Sequence, residues 1–183
     1  MKSRKQFNDF NFDVFSSNLS LDEMVVVTSE LYNLRWKLDQ ENDARYYLEN
    51  NVLSYENRKQ LLFCTVPKNV SKHTLVVLFY LLKNKIFHKL GYFINVLKYY
   101  CANNLDLFIV EIIYRFKPNT EMLEPYRNRI EKLYGKKVSF VYKKVPEILG
   151  GFKLRWVSGE VDYSISKQIK FLEEMIFTGK EIS

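Results

Sequence analysis

Few of the side chains that could do chemistry lie close enough together in the sequence to act jointly. The two histidines, His73 and His88, have no acidic residue or cysteine at the spacing that a metal site needs. Cys64 has no histidine or asparagine partner in a recognisable nucleophile pattern. We therefore predict a protein that is not an enzyme, with no catalytic residue, no bound metal and no cofactor.

The familiar catalytic and nucleotide-binding motifs are also missing from the sequence. It contains no GxGxxG, no P-loop and no GxSxG. The adjacent carboxylates Glu173 and Glu174 lie near a predicted helix end and are typical of a solvated surface. A chain without a catalytic constellation is more often a binding or structural component.

The two cysteines and the hydropathy pattern indicate where such a protein works. Cys64 and Cys101 lie in apolar helical contexts, which predicts buried free thiols in a reducing compartment. The residues after Met1 lack the apolar core of a secretory signal. The longest apolar run, Leu75–Leu82, is far shorter than the ~20 residues that span a bilayer. We expect a soluble chain that reaches a membrane only peripherally, through partners.

The balance of charge permits binding to an acidic partner without requiring it. The chain has 183 residues, with 28 Lys and Arg against 21 Asp and Glu, a net charge of +7. These charges are spread evenly, and no run of five like charges occurs. A solvated surface is the main interpretation and a phosphate-binding stripe the alternative. Nucleic-acid binding is the competing function, because it needs clustered basic and aromatic side chains.

The periodicity of the apolar residues changes near residue 104. Before it, helical spacing and serine caps predict about six helices in a mainly α bundle over residues 1–104. One of these helices has a capping box, Ser20 with Glu23, followed by an apolar stripe. That stripe contains Met24, Val27, Leu31, Leu34 and Leu38. Residues 105–183 predict a small α/β domain in the order β-α-β-β-β-α.

The C-terminal segment contains the most specific motif. Pro146 precedes a double glycine, Gly150-Gly151, which a hairpin turn separates from Asp162 and Ser164. This arrangement resembles the signature D-P-x-L-(I/L)-G-G … (I/V)-D-x-S of the F-type ATP synthase delta subunit, or OSCP, family. The ranges Ser29–Leu62 and Leu75–Asn103 are similar to helical regions of the same family.

The chain departs from the family pattern at several positions. Val145 stands where the family has Asp, and only Asn84 remains of a Glu-Asn-x-Arg turn. The opening Tyr-Ala-x-Ala helix has become Phe7-Asn8-Asp9-Phe10.

The resemblance implies a non-catalytic stator subunit of the proton-translocating ATP synthase, at the cytoplasmic face of a bacterial inner membrane. In that family, the N-terminal domain holds the N-terminal helices of alpha subunits and the C-terminal domain grips the end of the b subunits. This linkage resists the torque of the rotor. Nucleic acid is not among the implied partners; the alternative is a basic nucleic-acid-binding or other helical adaptor protein.

The resemblance further implies that alpha subunits bind between the first and fifth helices. On the fifth helix, Leu75, Leu78 and Leu82 are spaced to face the core, which leaves a second apolar face. The predicted groove residues are Phe7, Phe10, Val14, Val76, Phe79 and Tyr80. The alternative is that the sixth helix buries the second face. Gly150, Gly151, Asp162 and Ser164 are predicted to maintain the fold.

Overall fold

The computed structural model describes residues 10–178, and the chain divides between Leu105 and Asp106 into two compact units. The first unit is helical, and the second holds a four-stranded mixed sheet with two helices. The prediction of a mainly helical chain with a small α/β part is confirmed.

The first unit contains six α-helices within the described residues. They are α1 (Phe12–Ser17), α2 (Leu21–Gln40), α3 (Asn42–Glu49), α4 (Tyr55–Thr65), α5 (Lys72–Lys83) and α6 (Leu90–Asn104). A short 3₁₀ turn, Phe87–Lys89, precedes α6.

The helix α2 is the centre of the first unit. The amide of Glu23 donates to Ser20 Oγ at 3.2 Å, and the Glu23 carboxylate accepts from the Ser20 amide at 2.7 Å. This reciprocal pair confirms the predicted capping box. Each residue of the predicted apolar stripe is buried, so α2 contributes one continuous face to the core.

The core face of α5 is rotated from the predicted one. Val77, Leu78, Leu81 and Leu82 are fully buried, whereas Leu75 is only half-buried. The prediction that Leu75 faces the core with Leu78 and Leu82 was therefore wrong at that position. Helical spacing alone permits either of two adjacent stripes on so apolar a helix, and the packing of its neighbours selects one.

The second unit contains four strands and two helices. It comprises β1 (Leu107–Tyr114), α7 (Thr120–Tyr134), β2 (Lys137–Lys144), β3 (Phe152–Trp156), β4 (Gly159–Asp162) and α8 (Ile165–Thr178). The strand order is β2-β1-β3-β4, with β2 parallel to β1 and the other neighbours antiparallel. The helix α7 packs on one face, where Tyr134 stacks on Phe108 with ring centroids 4.8 Å apart.

The two thiols differ in their surroundings. Cys101 is fully buried in α6, and burial raises the pKa of its thiol to about 12. Cys64 lies on the exposed side of α4, so the prediction that both thiols are buried was wrong for Cys64. The apolar neighbours of Cys64 in the sequence do not show that its own position faces solvent.

This difference predicts a simple thiol count. At pH 8, a disulfide reagent such as Ellman's should modify one thiol per native chain rapidly and two per chain in denaturant, because only Cys64 is exposed to the reagent. Cys64→Ser should abolish the rapid phase and Cys101→Ser should leave it intact. Rapid reaction of two thiols in the native chain would contradict the burial of Cys101.

Candidate partner-binding site

An aromatic cluster joins the start of α1 to α5 and α6. The ring of Phe10 lies 4.9 Å from Tyr80 of α5 and 5.1 Å from Phe93 of α6, measured between centroids. Phe12 stacks on Phe93 and on Tyr100, at 5.4 and 5.6 Å. Such edge-on and offset pairs are favourable beyond the area that they bury. These contacts therefore fix α1, a helix of only six residues, against the unit.

Polar contacts at Tyr100 reinforce this attachment. Its hydroxyl lies 2.8 Å from Asp13 Oδ1, to which it donates, and 2.8 Å from Ser16 Oγ. Burial raises the pKa of Tyr100, with a smaller contribution from the nearby Asp13 carboxylate. Asn11 caps the helix by accepting from the Val14 amide at 3.0 Å.

The structure brings together only some of the predicted groove residues. Phe10 and Tyr80 are in contact, whereas Val14 and Val76 are exposed, at 58% and 56%. Phe79 packs instead against Phe63 of α4, at 5.6 Å. Phe7 lies outside the described residues.

The distribution of these rings changes the shape of the predicted groove. Phe10 already fills the space against Tyr80 and Phe93, so it forms a floor, and only Val14 and Val76 remain exposed for a partner. Phe79 of α5 contacts α4 instead, where Lys59 Nζ lies 5.4 Å from its ring centroid.

Four of these aromatic residues were absent from the predicted groove, namely Phe12, Phe63, Phe93 and Tyr100. Phe93 and Tyr100 lie seven residues apart on α6, a spacing that places them on one helix face. That signal was available in the sequence, but it does not tell which helix packs there. Nothing in the spacing of Phe63 on α4 indicates its contact with Phe79.

In the second unit, the double glycine holds the start of α8. The amide of Ile165 donates to the Gly150 carbonyl at 3.0 Å, and Tyr163 donates to the Phe152 carbonyl at 2.9 Å. Gly151 has φ +73°, and a Cβ there would collide with the Tyr163 carbonyl oxygen. A side chain at this position meets both backbone strain and a steric clash.

Asp162 and Ser164 complete this junction. Asp162 Oδ1 accepts from the Ser164 amide at 2.8 Å, and its other oxygen lies 2.7 Å from Lys153 Nζ. Burial is the largest single influence and opposes ionisation, but the hydrogen bonds from Lys153 and Ser164 together hold the pKa of Asp162 below its ordinary value. Ser164 Oγ accepts from the Lys167 amide at 3.4 Å, a long capping contact.

The helix α8 presents apolar side chains to solvent. Ile165, Ile169 and Leu172 recur at helical spacing, yet each is exposed, as is Phe171. A stripe of this kind on a 14-residue helix is typical of a partner-binding surface. It is the second candidate site of the chain.

Between residues 10 and 178, no three His, Cys, Asp or Glu side chains are grouped so as to hold a metal ion. Within the same range, no helix is both long and apolar enough to span a bilayer.

Comparison with known proteins identifies the family. A family model described as the ATP synthase delta (OSCP) subunit matches residues 14–176. ATP synthase subunit delta of Malacoplasma penetrans is 23% identical over 189 residues, which cover all of both chains. A chain of the Toxoplasma gondii mitochondrial ATP synthase hexamer superimposes with a TM-score of 0.50 over 91% of this chain and 92% of its own, at 14% identity. That structural likeness concerns the fold.

The double glycine yields a prediction with an internal control. Gly135 also has a positive φ, +65°, but a Cβ there meets nothing within 4 Å. Gly135→Ala should cost about 1–2 kcal/mol, whereas Gly151→Ala should cost about 2–5 kcal/mol because overpacking adds to the strain. The measurement is urea unfolding followed by Trp156 fluorescence in a Trp36→Phe background. Equal losses at the two glycines would refute the steric role of Gly151.

The charge of Asp162 predicts a pH dependence. Its pKa is lower in the folded chain than the ordinary 3.8, so the ionised form stabilises the fold above that pH. This contribution is lost as pH falls through the folded pKa. Asp162→Asn should cost roughly 1 kcal/mol at pH 7, and the difference should shrink as the pH falls below 3.8. A pH-independent difference would show that the charge is unimportant.

Proposed function

Because the chain belongs to the ATP synthase delta (OSCP) subunit family, whose members are peripheral-stalk subunits of ATP synthase, we propose that it is a non-catalytic stator subunit. In this role, it links the catalytic head to the b-subunit stalk and resists the torque of the rotor. The observation that carries the proposal is the family match over residues 14–176, which includes both units.

The first unit, in this proposal, binds the N-terminal helices of alpha subunits. An amphipathic partner helix buries its apolar face over the rings of Phe10 and Tyr80, with Val14 and Val76 as the exposed contacts. The aromatic floor is supported from below by α6, so the surface needs little rearrangement before it binds. Preorganisation of this kind lowers the cost of association.

The second unit binds the end of the b subunits through α8. The exposed side chains of Ile165, Ile169 and Leu172 provide apolar area, and the double-glycine junction fixes where the helix begins. Burial of this stripe stabilises a complex by ~25 cal/mol for each Å² removed from water. Both contacts must persist under load; a nanomolar contact corresponds to ~12 kcal/mol.

The proposal places the chain at the cytoplasmic face of the cell membrane, held there by the complex. It assigns the chain no nucleotide, metal or cofactor of its own. ATPase activity that accompanies the chain then belongs to the head that it binds.

An affinity-capture experiment tests this function. A tagged copy expressed in the native cell should recover ATPase activity and both alpha and b subunits from detergent-solubilised membranes. Val14→Asp with Val76→Asp should weaken capture of the head by about 2 kcal/mol, because a charge enters an apolar contact. The matched control is Val52→Asp, since Val52 is similarly exposed, at 65%, but lies outside the groove.

The stalk contact is tested with a second pair. Ile169→Asp with Leu172→Asp should lose the b subunits while it retains the head. Recovery of nucleic acid without ATPase activity by the unmodified chain would overturn the proposal. Equal effects of the Val52 and groove variants would remove the assigned groove.

A further inference from the structure

The strand β2 lies at the edge of the sheet and has an open side. The main-chain N–H and C=O groups of successive residues point alternately toward β1 and away from it. The amide of Lys137 donates toward β1, to the Asp106 carbonyl at 3.0 Å, and the amide of Val145 donates to the Tyr114 carbonyl at 2.6 Å. Odd-numbered residues of β2 therefore pair with β1, and even-numbered residues direct their main-chain groups outward.

The outward groups are covered at one end only. The amide of Val138 donates to the Glu131 carboxylate of α7 at 2.8 Å, which closes the start of the strand. Beyond it, the main-chain groups of Phe140, Tyr142 and Lys144 face outward, and no strand within residues 10–178 pairs with them. We call these three residues the β2 edge.

Positively charged residues lie where the β2 edge ends. Arg115 and Lys117 follow β1, and Lys144 ends β2; we call these three residues the cationic patch. The register places Lys144 beside Tyr114, the last residue of β1. Sequence order separates Lys117 from Lys144 by more than twenty residues, which is why the charges look evenly spread in the sequence.

Aromatic rings hold two of these cations near the strand ends. Lys117 Nζ lies 4.9 Å from the centroid of the Tyr142 ring, and the Arg115 guanidinium lies 5.4 Å from that of Phe116. Phe116 itself is 70% exposed. The cationic patch therefore includes an exposed apolar ring, which a partner can cover.

Within residues 10–178, the three cations of this patch lack the ion pairs that the cations of β3 make. On β3, Lys153 and Arg155 lie 2.7 and 2.6 Å from carboxylates of β4. In the described range, Arg115, Lys117 and Lys144 make no ion pair with Asp or Glu. A carboxylate-bearing partner would supply the charges that the neighbouring strands already have.

We propose that the β2 edge and the cationic patch together bind an extended acidic segment of a partner polypeptide. The segment adds a strand beside β2, and its carboxylates lie against the patch. Main-chain pairing selects a polypeptide over a nucleic acid or a membrane, because only a polypeptide offers amides at strand spacing. Lysines at the edge repel a second copy of the same strand. The residues of the β2 edge and the cationic patch are different from those of the proposed head and stalk contacts.

A direct test uses the full chain and synthetic decapeptides. The probe is a fluorescent peptide of alternating Thr and Glu; its controls are the same peptide N-methylated at each residue and a Thr–Lys version. The acidic probe should bind and slow amide exchange at Phe140, Tyr142 and Lys144 about tenfold. The N-methylated peptide keeps the charge but cannot form a strand, so it should bind about tenfold more weakly.

Charge variants separate the patch from the overall positive charge. Lys117→Gln with Lys144→Gln should weaken probe binding about tenfold. Arg129→Gln with Lys132→Gln removes the same charge from exposed positions on α7 and should leave binding unchanged. Equal weakening by both pairs, equal binding of the N-methylated peptide, or unchanged amide exchange would overturn the proposal. Tighter binding of oligothymidylate or phosphatidylglycerol vesicles than of the acidic probe would overturn it as well.

Discussion

Burial of the apolar face of α2 is the interaction on which the first unit depends. Leu31 and Leu38 are fully enclosed, and the other helices arrange themselves around that face. Since this core is closed on its own, the unit can leave apolar side chains such as Val14 and Val76 at the surface. Burial of these exposed side chains against a partner would therefore remove no apolar contact from the folded core.

In the second unit, the corresponding constraint is the meeting of Gly151 with the Tyr163 carbonyl. It allows the backbone before β3 to lie directly against the backbone that leads into α8. The helix is therefore fixed at its start, while Ile169 and Leu172 farther along it remain exposed. In both units, a backbone that is fixed by packing or hydrogen bonds carries apolar side chains that the core does not bury.

Much of this fold is readable from the sequence, because local rules decide it. Residue type and spacing alone predict the helix start at Ser20 and the close approach of backbone at the double glycine. Which face of a helix is buried depends on its neighbours in the fold, and local spacing does not determine it. Val77 is buried while Leu75 is only half-buried, and Cys64 faces solvent. The candidate groove was predictable as two helices but not as a set of contacts. Tyr80 turns toward Phe10 while Phe79, its neighbour, turns toward Phe63, and only the packing of α1 and α4 decides this.

The connection between the units enters the sheet through β1, an interior strand with partners on both sides. A pull on Leu105 along that strand loads the hydrogen bonds to β2 and β3 in shear, so many must yield at once. By contrast, an edge strand pulled sideways from its neighbour loses its hydrogen bonds one after another. The interior position of β1 thereby gives the second unit a stiff and strong attachment point for mechanical load.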